Sequence, residues 1–127
     1  MRVLAPPLFA VLMPFVPAQQ EPKLELKVLY AGVPDHPRTE QWREFLGKHT
    51  AGVTVIDVKQ LGDDTQVDAD VVILDCPDPI RKNAEGRPER IDVPRPSGLT
   101  LGFARPTIVV GGMVMITDHL HLKSNWL

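Results

Sequence analysis

Asp68-Ala69-Asp70-Val71-Val72-Ile73-Leu74-Asp75-Cys76-Pro77-Asp78-Pro79 is the stretch that decides the fold. Its apolar run shows no alternation, is rich in β-branched residues and ends on Asp, Cys and Pro. That pattern predicts a strand buried on both faces, of the kind found in parallel sheets covered by helices on either side. Its polar tail, Asp75 to Asp78, then falls at the strand's carboxyl end, where open α/β sheets bind their ligands.

The chain on either side supports this reading. Leu24–Ala31 begins with alternation and becomes continuously apolar, as suits a first parallel strand. Gly32 to Pro37 is a turn, because glycine frees the backbone and Pro34 and Pro37 fix φ. Arg38 to Lys48 reads as a helix with Trp42, Phe45 and Leu46 as its buried stripe and Gly47 or Gly52 closing it. Val53–Val58 is a second strand, which completes a βαβ unit. Lys59–Asp70 is polar and acidic, a loop or short helix feeding the central strand.

Beyond that strand, Ile80–Arg105 has neither a helical nor an alternating period and is punctuated by Pro and Gly, so it reads as one long loop. Thr107–Val110 is a fourth short strand ended by Gly111-Gly112, followed by apolar Met113–Ile116. Asp118–Leu127 is a candidate helix capped by Thr117 or Asp118. The expected architecture is therefore an α/β domain over residues 23–127 with about four strands, mostly parallel. The final Trp126-Leu127 has no polar tail, which leaves open that further strands lie beyond it.

Residues 1–20 read as a secretory signal peptide: Arg2 is the positive n-region, Val3–Val16 the apolar h-region, and Val16-Pro17-Ala18 precedes a cut near Gln19. The run is too short to span a bilayer, and Pro6, Pro7 and Pro14 would break a packed helix. A secreted or periplasmic protein with no stable membrane insertion is expected. With 14 Lys and Arg against 16 Asp and Glu, and no basic block, nothing points to a nucleic-acid partner. The lone cysteine, Cys76, excludes an internal disulfide and any Cys-rich zinc site.

If the strands run parallel, their carboxyl ends gather Gly32, Asp35 and His36 with Asp75, Asp78, Gly111 and Gly112. These are the candidate ligand-binding residues, and a small molecule is the expected partner. Cys76 stands among them, but the charges of Asp75 and Asp78 would raise its thiol pKa, so a buried, inert cysteine is the favoured reading. Asp75 sits where receiver domains carry a phosphoacceptor, yet Ala31-Gly32-Val33 supplies no acidic pair for magnesium; a cap for the following loop is expected instead. Asp118, His119 and His121 are candidate metal ligands, since imidazoles two apart share a face on a strand, although a solvated polar segment is the plainer reading. No Gly-x-Gly-x-x-Gly or Walker pattern surrounds Gly111-Gly112, and no cofactor is expected.

Lys27–Gly32, the His-Pro turn, Trp42–Leu46, Val53–Asp57, Asp70–Leu74 and Arg105–Gly112 together resemble the opening half of class I glutamine amidotransferase-like domains, in the branch of the trehalose-utilisation (ThuA-like) proteins. The resemblance implies a flavodoxin-like three-layer sandwich. It does not carry amidotransferase activity over, because the Gly-x-Cys-x-Gly elbow and the later His-x-Glu pair are absent, and Gly111-Gly112-Met113-Val114 stands where the elbow would be. The expected protein is an exported domain that binds a small polar, sugar-related ligand or a partner at the carboxyl edge. The alternative is a metal-dependent hydrolase using Asp35, His36 and the Asp118–His121 group.

Overall fold

A computed structural model describes residues 22–100 and 102–117. Residues 1–20, expected to form a signal peptide, and the candidate helix Asp118–Leu127 lie outside the described residues. In chain order the elements are β1 (Leu24–Gly32), α1 (Pro37–His49), β2 (Thr50–Asp57), β3 (Val71–Cys76), β4 (Ile80–Lys82), β5 (Pro88–Ile91) and β6 (Thr107–Gly111). β1, β2, β3 and β6 form a sheet in the order β2-β1-β3-β6, parallel throughout. The architecture is α/β and flavodoxin-like, as expected, and the strand order reverses direction between β1 and β3.

Strand alternation divides the core. Val28 and Tyr30 of β1 share one face with Ile73 of β3, and there they meet Leu46 and Trp42 of α1. Leu29 and Ala31 share the other face with Val72, Leu74 and Cys76, packed with Val58, Leu61 and Met113. From Val28 in β1, and over Val71–Leu74 in β3, both faces are apolar, which is why those stretches show no alternation in the sequence. The second face carries no α-helix among the described residues. A 3-10 turn at Val58–Gln60, another at Gly112–Ile116, and partly buried side chains such as Val93, Leu99 and Phe103 cover it instead.

Three local expectations need correction. Phe45 does not join the buried stripe: it is 52% exposed, and Thr39 and Leu46 are the buried residues of α1. Neither glycine closes α1. Gly47 lies inside the helix and Gly52 inside β2, while Thr50 ends the helix by donating both its backbone N–H and its hydroxyl to the Leu46 carbonyl. Finally, Ile80–Arg105 is not one structureless loop, because β4 and β5 pair there as an antiparallel hairpin. Asn83 builds its turn by accepting from the backbone N–H groups of Glu85 and Arg87, with Gly86 at positive φ.

Candidate functional site at the carboxyl edge

The β1–α1 connection is shaped by its local chemistry. Asp35 takes a left-handed conformation (φ 59°), which Asp tolerates better than most residues because its short side chain can bond locally. His36 precedes a proline and is extended, so the helix starts at Pro37, whose missing N–H costs nothing there. The His36 ring then caps the helix: Nδ1 accepts from the Arg38 backbone N–H at 3.1 Å. With Nδ1 an acceptor, the ring proton of the neutral imidazole sits on Nε2, which donates to Asp78 Oδ2 at 2.7 Å. One side chain thus starts α1 and ties the loop after β1 to the loop after β3.

Beneath this bridge lies a charged group with no exposure at all. Asp75 is fully buried. Its Oδ2 accepts from the Tyr30 hydroxyl at 2.6 Å and forms an ion pair with Arg38 Nε at 3.0 Å. Its Oδ1 has no hydrogen-bond partner among the described residues. Asp75 is therefore not a loop cap, as the sequence suggested. It is the anionic centre of a three-residue network joining β1, β3 and the first turn of α1. Burial, together with the hydrogen bond and charge of Asp75, pushes the Tyr30 phenol well above its usual range.

Burial, then the negative charge of Asp75, likewise raises the Cys76 thiol, which agrees with an inert cysteine. The glycines are spatial necessities at this edge. A Cβ on Gly111 would lie 2.5 Å from the Cys76 carbonyl and 3.2 Å from Asp75 Oδ1, and one on Gly112 would strike the Pro79 ring. Gly32 is closed to a side chain by the Tyr30 ring.

The predicted residues accordingly fall into two groups. Asp35 and His36 line a cleft of about 520 Å³ with Thr39, Arg43 and Asp57, at the ends of β1 and β2. Asp75, Gly111 and Gly112 pack beneath the ends of β3 and β6, and the His36–Asp78 bond links the two groups. Asp118, His119 and His121 lie outside the described residues, and no group of three or more His, Cys, Asp and Glu side chains suited to a metal ion occurs among those described. Among the described residues no helix is long and apolar enough to cross a membrane.

The sequence does not mark Tyr30 or Arg38 as site residues. A tyrosine inside an otherwise aliphatic strand was a signal for Tyr30, because a buried phenol needs a partner. Arg38 had no comparable signal, since arginine in a first helical turn is ordinarily a solvated charge. Comparison with known protein families, curated proteins and solved structures finds no match to this chain.

Proposed function

We propose that the chain is an exported binding domain of the amidotransferase-like kind, without the catalytic triad, that holds a small polar ligand at the carboxyl edge of its sheet. The cleft at the ends of β1 and β2 carries this reading. Its volume of about 520 Å³ lies within the range of small-molecule sites, and its lining combines Asp35, Glu40 and Asp57 with Arg43 and the amide of Gln60. Carboxylates that accept, next to guanidinium and amide groups that donate, suit a molecule rich in hydroxyls, and the likeness to ThuA-like proteins points the same way. Small saccharides are the class to test.

The experiment is an amide NMR titration of the full chain with glucose and with trehalose. Saturable shifts at Asp35, Arg43 and Asp57, at a Kd of about 1 mM or tighter, would support the reading. Loss of those shifts in Asp35→Asn and Arg43→Ala would place the ligand in the cleft. Absence of any saturable shift there with either sugar counts against a saccharide site. Export is tested by the amino terminus of the mature protein, expected near Gln19.

A further inference from the structure

The opposite flank of α1 carries a second concavity. Thr39, Glu40 and Arg43 line the sheet-edge cleft, whereas Arg38, Gln41, Trp42 and Phe45, spaced three and four residues apart, share the other side of the helix. These four line a groove of about 350 Å³. Trp42 rests on Tyr30, with ring centroids 6.0 Å apart, and Phe45 stands edge-on to Trp42 at 6.1 Å. Phe45 nevertheless leaves half its surface to solvent.

At one end of the groove stands a cation that is held in place. Asp75 anchors Arg38 through Nε, and the arginine side chain remains 33% exposed. Asp75 is the only carboxylate paired with Arg38, and neither Nη nitrogen has a hydrogen-bond partner, among the described residues. A surface arginine ordinarily gives up rotamer freedom when it binds an anion. Arg38 has given up much of that freedom to Asp75 already, and its outward edge keeps the fork geometry that matches a carboxylate.

We propose that this groove binds a small aromatic carboxylate, with the carboxylate on the Nη edge of Arg38 and the ring against Trp42 and Phe45. Phe45 stands between Trp42 at 6.1 Å and His49 at 4.5 Å, and this run of aromatic rings favours a further ring over a flexible aliphatic chain. The open donors favour an anion over a neutral hydroxyl compound. The site is separate from the sheet-edge cleft and does not depend on the reading given there.

The test is an amide and indole NMR titration of the full chain with phenylacetate and with phenylacetamide, which has the same shape without the charge. Phenylacetate is expected to shift the Trp42 indole N–H and the Gln41 and Phe45 amides saturably. The amide should bind at least about tenfold more weakly, because the charge-assisted contact is lost. Phe45→Ala removes an exposed ring and leaves the core intact; it should weaken phenylacetate several-fold. Arg38→Lys keeps the charge but loses the fork, and should weaken it too. Equal responses to the two probes, an unchanged response in Phe45→Ala, or no saturable response to phenylacetate would each overturn the proposal. Should Arg38→Lys fail to fold, the comparison of the two probes and the Phe45 variant decide the matter unaided.

Discussion

Tyr30 donates its phenolic hydrogen to Asp75 across 2.6 Å, although 45 residues separate the two in the chain. Both side chains are fully buried, so this bond and the Arg38 ion pair must replace the hydration that the carboxylate has lost. Tyr30→Phe removes the donor with almost no change in shape. The free energy of unfolding should fall by about 1.5–3 kcal/mol, the range for a hydrogen bond to a charged group. Urea denaturation checks this: the midpoint should drop while the m-value holds.

The same pair predicts an alkaline limit to stability. Burial first, and then Asp75, raises the Tyr30 phenol above its unfolded value of about 10. The folded chain therefore keeps a proton that the unfolded chain releases once the pH passes that value. The stabilisation is complete below pH of about 10 and is lost progressively above it. Tyr30 is the only tyrosine, so phenolate absorbance reports this group alone. Absorbance and loss of circular dichroism should rise together; a phenolate titrating normally in the folded state would refute the buried network.

Asp75→Asn preserves the shape and an acceptor for Tyr30 but removes the countercharge of Arg38. Breaking a fully buried pair costs about 3–5 kcal/mol. Arg38 is a third exposed and can recover water, so about 2–3 kcal/mol is expected here. Because Tyr30 and Asp75 are in contact, the double variant with Tyr30→Phe should depart from additivity by about 0.5 kcal/mol or more. Additive losses would mean that the phenol and the carboxylate act independently.

Cys76 offers a reporter of opening at this edge. Burial and the neighbouring charge of Asp75 both disfavour its thiolate, the species that attacks a disulfide reagent. In folded protein at mildly alkaline pH the thiol should react far more slowly than in urea. Equal rates in the two states would show that the end of β3 opens freely.

How much of this was legible in the sequence depends on the reach of each interaction. β1, α1, β3 and β6 are legible because their apolar patterns are local, and Asp75, Cys76 and Pro77 bound β3 to within a residue or two. The Tyr30–Asp75–Arg38 network was not legible, because its members come from three elements and meet only when the sheet forms. The β4–β5 hairpin was hidden for another reason. Its strands are exposed and short, so Ile80 and Ile91, which pair across it, stand among charges without an alternating pattern. Spacing alone places Phe45 in the core, whereas α1 packs on β1 and β2 through a narrower stripe ending at Leu46.

Two glycines give opposite predictions for one substitution. Gly111 has φ 62° and ψ −139°, a region that L side chains rarely adopt, and an added Cβ would press within 2.5 Å of the Cys76 carbonyl. Backbone strain of about 1–3 kcal/mol is therefore the least that Gly111→Ala should cost, and relief would require β6 to shift against β3. Gly47 lies in the interior of α1 with nothing within 4 Å of an added Cβ. Gly47→Ala lowers the entropy of the unfolded chain at no steric cost, so it should stabilise the protein by about 0.5–1 kcal/mol. Thermal unfolding of the two variants side by side checks both directions. A Gly111→Ala protein as stable as the parent would mean that β6 is not held in register with Cys76, and the packing around Asp75 Oδ1 would have to be redrawn.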